Sequence, residues 1–318
     1  MPVNHNPNRW KADIAHSVDM YNDWFMEFAP SAFRNSRIRT TKDVEATLHS
    51  TQNMTNIQPA ILRNYPEVLP TLRMSTCPPL AVDRLIGLSG VSPSMIKRME
   101  NEKQLPVRMV PADVDRELAK IGAIIEKMAD PDIFVWLGRN QPPTDTEIHR
   151  AATIVADRLC GSVANPIIRN AQEKRQLASI KAWLEARGYK PLSGKGGTRF
   201  NAMPPGTFSF RMNVPVKLED GKSINIPVDA VIMPKTATAR QFPLLFEAKS
   251  AGDFTNTNKR SKGEVTKMIQ LRSTYGRRIQ FNLFLCGYFD SGYLGYEAAE
   301  GIDWVWEHRI DDLELFGI

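Results

Sequence analysis

The spacing of apolar residues divides the chain into a helical first part and a second part that mixes strands with helices. Residues 12–37, 113–131 and 144–162 carry apolar side chains every three or four positions, which predicts amphipathic helices. Pro30 is expected to end or kink the first of these helices, and Gly161 marks the expected end of the third. The pattern favours an all-helical region over roughly the first half of the chain.

After about residue 160, strand patterns alternate with helical ones. Helices are predicted over about 167–187 and about 261–275. Four predicted strands have alternating or continuous apolar residues and cover 206–218, 223–233, 242–249 and 278–289. The Asp-Gly pair between the first two strands predicts a hairpin. We therefore expect a helical domain over 1–158 and a mixed α/β domain over 159–318.

Composition and charge narrow the class of protein. Of 318 residues, 42% are hydrophobic and 24% are charged, as in ordinary globular domains, and no apolar run approaches the ~20 residues that span a bilayer. The polar N-terminal stretch carries no apolar export signal, so a cytoplasmic protein without membrane contact is expected. The three cysteines form no metal-ligand pair. The net charge of +6 favours a polyanionic partner such as nucleic acid.

The third predicted strand, in the sequence FPLLFEAK, ends in two charged residues. Glu247 and Lys249 are two positions apart on a strand, so both side chains lie on one face. Asp229 is an acid within the apolar run INIPVDAVIM of the preceding strand. If these two strands pair, Asp229 and Glu247 converge at one end of the sheet. The plainer interpretation is that Glu247 and Lys249 form a surface ion pair.

A further acid lies on the helix that precedes the strands. Glu173 comes four residues before Leu177 and therefore lies on the buried stripe of that helix. Converging carboxylates form an oxygen-rich site suited to Mg²⁺, with Asp229, Glu247 and Glu173 as the expected metal ligands. With a lysine beside them, the chemistry that fits is phosphodiester hydrolysis. Lys249 could orient the water, stabilise charge as an ammonium or act as a general base, and the sequence leaves these roles open.

These residues resemble a known signature. Asp229, followed 18 residues later by Glu-Ala-Lys, is similar to the PD-(D/E)XK nuclease signature, and the predicted elements follow the α-β-β-β-α-β order of that superfamily's core. Glu173 matches the additional acid on the first core helix, whereas Pro227 lies one residue early. The resemblance implies a mixed α/β fold in which helices flank a central mixed β-sheet. It also implies that Asp229, Glu247 and Lys249 are the catalytic residues.

Longer stretches are similar to the XamI family of type II restriction endonucleases. These stretches are WKADIAHSVDMYNDWFMEFAPSAFR, LPTLRMSTCPPLAVDRLIGLSGVS, NPIIRNAQEKRQLASIKAWLEARGY and LFEAKSAGDFTNTNKRSKGE. The resemblance implies Mg²⁺-dependent cleavage of double-stranded DNA at a short specific site in a bacterial cytoplasm, beside a cognate DNA methyltransferase. A homodimer reading a palindrome would match the two-fold symmetry of the duplex.

Two segments are candidates for DNA contact. Residues 250–264 directly follow the charged strand and carry side chains suited to base edges and phosphates: Asn256, Asn258, Lys259, Arg260 and Lys262. Residues 85–100 resemble a helix-turn-helix whose second helix exposes Ser94, Lys97 and Arg98 to a groove. The plainer interpretations are a solvated loop and a structural helical hairpin.

Two other functions are compatible with the sequence. A PD-(D/E)XK nuclease for DNA repair or junction resolution would carry the same acids and lysine but would recognise a DNA shape. A non-catalytic DNA-binding regulator would use residues 85–100 and a vestigial nuclease core. The presence of Asp229, Glu247 and Lys249 together argues against the regulator, because a decayed site usually loses one of them.

Overall fold

The computed structural model describes residues 2–192, 199–218, 220–255 and 257–318, and the side chains of all of these except 257–261. The chain forms two compact units, one of residues 29–168 and one that joins the first 28 residues to residues 169–318. The predicted division at residue 158 assigned those first 28 residues to the helical domain. They pack instead with the second unit, because Trp10 belongs to its apolar core.

The order of elements is the predicted one: helices form the first part of the chain, and strands mixed with helices form the second. The helices of the first part are α1 (Pro7–Ser50), α2 (Pro59–Asn64), α3 (Leu69–Met74), α4 (Val82–Ser89), α5 (Pro93–Glu102), α6 (Pro111–Met128) and α7 (Asp145–Ala186). The later elements are β1 (Lys190–Pro191), β2 (Thr207–Lys217), β3 (Ser223–Met233), β4 (Leu244–Ala251), α8 (Thr257–Tyr275), β5 (Gln280–Gly287), α9 (Ser291–Ala299) and β6 (Asp303–Trp306), followed by a 3₁₀ segment, Glu307–Phe316.

Two helices are longer than predicted. Helix α1 continues through Pro30, and α7 continues through Gly161 and Pro166 without the predicted interruption. An interior proline removes one backbone hydrogen bond at a cost of about 3 kcal/mol. The neighbouring residues Ala29 and Ala164 are buried, so apolar packing of both helices offsets that cost.

The hairpin of α4 and α5 has the geometry predicted for residues 85–100. Gly90 adopts a left-handed conformation, φ +65°, that ends α4, and the Ser92 hydroxyl accepts a hydrogen bond from the N–H of Met95 to cap α5. Leu85 and Ile96 are fully buried between the hairpin and its neighbours. The inward side of α5 therefore belongs to the core of the helical unit.

The second unit is a mixed sheet whose strands lie in chain order, β1 to β6. Strands β2, β3 and β4 are antiparallel neighbours, whereas β4, β5 and β6 run parallel. Alternate residues of β4 face opposite layers. Leu245 packs in the apolar cluster that includes Met268 of α8, and Phe246 packs in the cluster that includes Ile180 of α7. The predicted mixed sheet flanked by helices is confirmed, and the four predicted strands are β2 to β5.

A search of the described residues for membrane-spanning segments finds no helix with the necessary length and apolar character.

Candidate active site

The pairing of β3 with β4 stops beside two acids. The antiparallel register runs Ile232 with Leu244, Val231 with Leu245 and Ala230 with Phe246, and then ends. The next residues in this register are Asp229 and Glu247. Beyond this point the Asp229 carboxylate accepts a hydrogen bond of 2.9 Å from the backbone N–H of Ala248. The two acids of the predicted site therefore lie side by side where the strands separate.

Glu247 is surrounded by charge despite being 7% exposed. Its Oε1 accepts from Lys267 Nζ at 2.6 Å and lies 3.2 Å from Lys249 Nζ. Its Oε2 is buried and has no hydrogen-bond partner among the described residues. The shared contact with Lys249 confirms that residues 247 and 249 point to one face of β4. Lys249 also pairs with Glu264 of α8, whose Oε1 lies 2.9 Å from Nζ.

The surroundings of Asp229 and Lys249 raise the pKa values of both side chains. Burial, with repulsion from Glu247 next, raises the pKa of Asp229 to about 6, although the bond from Ala248 acts in the opposite direction. Burial disfavours the charged form of Lys249, but attraction by Glu247 and Glu264 outweighs it, so the pKa of Lys249 lies above its ordinary value. At neutral pH Asp229 is therefore mostly ionised, and Lys249 carries an ammonium charge.

Glu173, the third predicted ligand, has a different partner. It lies on α7 with 37% of its side chain exposed, and its Oε1 accepts from the Arg211 guanidinium at 2.7 Å. It is near enough to Asp229 for its charge to raise the pKa of that acid. Within the described residues, however, no three His, Cys, Asp or Glu side chains converge closely enough to hold a metal ion. Asp229 and Glu247 are brought together, while Glu173 is turned toward Arg211.

Arg211 is a site residue that the sequence analysis missed. In the register of β2 with β3, Phe210 pairs with Ala230 and Met212 with Val228, so Arg211 lies opposite Asp229. Its φ of +52° is a left-handed conformation that is unfavourable for a residue with a Cβ. Arg211 is a charged residue in the middle of the strand pattern TFSFRMNVPV, although its left-handed conformation cannot be read from the sequence.

Helix α7 is tied to the strand that carries the lysine. The fully buried Gln176 donates from its amide nitrogen to the backbone carbonyls of Lys249, at 3.2 Å, and Phe284, at 3.3 Å. These bonds fix β4 and β5 relative to the helix that carries Glu173. The site is therefore built on regular elements and not on loops, which holds its side chains in defined positions.

The candidate DNA contacts fall in two places. Asn256 and the side chains of Asn258, Lys259 and Arg260 lie outside the described residues, and Lys262 is exposed near the start of α8. Ser94 and Lys97 are exposed on α5, as predicted. Arg98 is partly buried and donates to Glu102 at 2.9 Å, so part of its charge is already neutralised.

Two acids and a lysine lie where the pairing of β3 with β4 ends, an arrangement suited to a nuclease. Comparison with known proteins supports the same class. The family model described as XamI restriction endonuclease matches residues 52–306. The type II restriction enzyme SalI of Streptomyces albus G is 53% identical over 311 residues, which cover 98% of each chain. The chain therefore belongs to the XamI restriction endonuclease family, and the predicted resemblance is confirmed. It is a site-specific nuclease whose substrate is DNA.

A solved structure, the protein VC1899 from Vibrio cholerae, also matches, with 13% identity over 80% of this chain and 55% of that chain. The TM-score is 0.28, which is too low for this likeness to bear on the fold. Family membership favours restriction over the repair nuclease and over the non-catalytic regulator.

Proposed function

We propose that the chain is an Mg²⁺-dependent type II restriction endonuclease that cuts both strands of DNA at a short palindromic site. The observation that carries this proposal is the placement of Asp229 and Glu247 as neighbours at the end of the β3–β4 ladder, where Asp229 accepts from the Ala248 N–H and Lys249 lies beside Glu247. The 53% identity to SalI, which is named a type II enzyme, supports the same type of cleavage here.

The donor set of the site fits a hard divalent cation. Asp229 and Glu247 would hold Mg²⁺, since the buried Glu247 Oε2 has no hydrogen-bond partner within the described residues and Asp229 is destabilised by burial and like charge. Glu173 could join them after leaving Arg211. When bound, the ion would acidify a water molecule and neutralise charge on the scissile phosphate. Carboxylate oxygens of this kind are the ligands that Mg²⁺ prefers.

Lys249 acts in this proposal as a charged group. Its raised pKa keeps the ammonium protonated at neutral pH, which favours charge stabilisation and orientation of the attacking water over removal of a proton. It lies on the same face of β4 as Glu247, so it meets the same phosphate. The alternative of a general base is less consistent with two acids in contact with Nζ.

DNA would be held by positive and polar side chains outside this centre. Lys262 is exposed and follows β4 closely in sequence, so it is placed to contact a DNA phosphate. We propose the same role for the neighbouring residues Asn256, Asn258, Lys259 and Arg260. Ser94 and Lys97 present polar groups from α5, with Arg98 in a lesser role. Cleavage of two antiparallel strands would require two centres, so we propose a homodimer. A cognate methyltransferase would protect the host's own sites.

The direct test is digestion of a viral genome of known sequence. Wild-type protein with Mg²⁺ should give discrete fragments whose sequenced ends share one palindrome, and chelation of the metal should stop the reaction. Lys249→Ala should bind the same DNA without cutting it. Fragments without any divalent cation, or cleavage by Lys249→Ala at the wild-type rate, would overturn the proposal. Nicking that depends on DNA shape would favour the repair nuclease, and a footprint without cleavage would favour the regulator.

A further inference from the structure

Helix α8 contributes a buried acid to the lysine of the candidate centre. Glu264 is 3% exposed, and its Oε1 lies 2.9 Å from Lys249 Nζ, closer than Glu247 Oε1 at 3.2 Å. The second oxygen of Glu264 is buried and has no hydrogen-bond partner in the described part of the chain. Burying a carboxylate costs free energy unless an opposite charge compensates it, and here the Lys249 ammonium provides that compensation.

We propose that Glu264 is a positioning residue that holds the Lys249 ammonium in its working place. The inference rests on the proposed function, because it assumes that Lys249 takes part in cleavage. Glu264 does not touch the reacting atoms in this account. It acts through the lysine, which it contacts together with Glu247.

The arrangement around Glu247 explains why a second acid is needed. Glu247 Oε1 is already in contact with Lys267 at 2.6 Å and Lys249 at 3.2 Å. Without Glu264, Glu247 would be the remaining acid partner of Lys249 among the ion pairs of the described residues. The ammonium, already 3.2 Å from Glu247 Oε1, would then pair with that carboxylate alone, which is the one proposed to hold the metal. Glu264 shares the lysine with that oxygen and so limits how fully Lys249 neutralises Glu247.

A role for Glu264 as a metal ligand is less consistent with the geometry. Asp229 and Glu247 are neighbours at the end of the β3–β4 ladder, whereas Glu264 lies on α8 and directs Oε1 to Lys249. Behind it, burial and then repulsion from Glu264 raise the pKa of the fully buried Glu297 to about 8. Glu297 is therefore mostly neutral at pH 7 and adds little negative charge beside Glu264.

The experiment compares Glu264→Gln, Glu264→Asp and Lys249→Ala with Glu185→Gln, a matched control on an exposed acid of α7. Single-turnover cleavage at saturating DNA, DNA affinity in Ca²⁺ and Tm are measured for each. Glu264→Gln should lower the cleavage rate about 10- to 100-fold, the range expected when a catalytic group is misplaced by about 1 Å. DNA affinity should stay within threefold. Glu264→Asp keeps the charge and should recover part of the rate, and Glu185→Gln should behave as wild type.

The outcomes separate the two proposals. If Glu264→Gln cuts at the wild-type rate while Lys249→Ala is inactive, the positioning role is wrong and the proposed function stands. If Lys249→Ala also cuts at the wild-type rate, both fail. If Glu264→Gln does not fold, Glu264→Asp decides: a folded protein with wild-type rate overturns the positioning role, and a folded protein with a reduced rate supports it. A rate loss that follows the Tm across all variants also overturns it.

Discussion

The carboxylate of Asp229 accepts a hydrogen bond from the backbone N–H of Ala248, 2.9 Å away, just beyond the last β-pair between their strands. The Asp229 side chain thus accepts the hydrogen bond that the Ala248 N–H would donate to a backbone carbonyl if the strand pairing continued. This tie holds Asp229 against β4 beside Glu247. Holding the two acids together destabilises the ionised form of Asp229: burial, and then repulsion from Glu247, raise its pKa to about 6.

Lys267 is expected to compete with the proposed Mg²⁺ for Glu247. Its Nζ lies 2.6 Å from Glu247 Oε1, so a divalent ion bound there meets a positive charge. Lys267→Gln removes that charge and should lower the Mg²⁺ concentration at half-maximal rate severalfold. The measurement is cleavage rate against Mg²⁺, together with calorimetric titration of Ca²⁺. Lys181→Gln, whose partner Glu185 is exposed, is the control. An unchanged or higher Mg²⁺ requirement for Lys267→Gln would contradict the competition.

Arg211 is expected to be strained. At φ +52°, glycine is more favourable than alanine by roughly 1 kcal/mol, because glycine has no Cβ. Arg211→Gly and Arg211→Ala both remove the guanidinium that pairs with Glu173, so their difference isolates the backbone. Urea unfolding should show the glycine variant to be the more stable of the two. Equal stabilities would mean that Arg211 relaxes to a negative φ.

Glu297 is expected to make stability depend on pH. Its pKa is about 8 in the folded chain, mainly through burial, against 4.5 as the ordinary value. Between these values the folded state keeps a proton that the unfolded state has released, so stability falls as pH rises and levels off above about pH 8. Glu297→Gln cannot release that proton. Its Tm advantage over wild type should grow from pH 5 to pH 8, and a constant difference would place the acid in a more polar environment.

Lys97 is expected to contact a phosphate from α5. Each phosphate neutralised contributes about one unit to the slope of log affinity against log salt. Lys97→Ala should therefore reduce that slope by about 1, measured by DNA titration at several salt concentrations. Arg98→Ala should reduce it less, because Glu102 already pairs with Arg98. Identical slopes for Lys97→Ala and wild type would leave the α4–α5 hairpin with a structural role alone.

The sheet was predictable where its strands are long enough to carry a pattern. Strands β2 to β5 have eight residues or more and are largely apolar, whereas β1 has two residues and β6 has four. Strands this short form because neighbouring strands pair with them, and they contain too few residues to show an alternating apolar pattern. The predicted helix ends at Pro30 and Gly161 failed for a related reason, since packing outweighs local preference.

The candidate site was predictable to the extent that its charges interrupt apolar strands. Asp229, Glu247 and Lys249 stand out for that reason. Glu264 carried a readable signal as well: with Met268 and Leu271 it occupies positions i, i+4 and i+7 of α8, which is a buried stripe. Arg211 also interrupts a largely uncharged strand, but its left-handed backbone conformation could not be read from the sequence.

The proposed cleavage chemistry depends most on Asp229 as a negatively charged metal ligand, and Asp229→Asn tests this role directly. Asparagine keeps an oxygen that accepts the bond from Ala248, so the fold should be retained while the negative charge is lost. The decisive measurement is single-turnover cleavage by this variant at saturating DNA across a wide range of Mg²⁺ concentrations. We expect DNA binding as tight as wild type or tighter, with no detectable cleavage at any Mg²⁺ concentration. Cleavage at a rate close to wild type by Asp229→Asn would contradict this role.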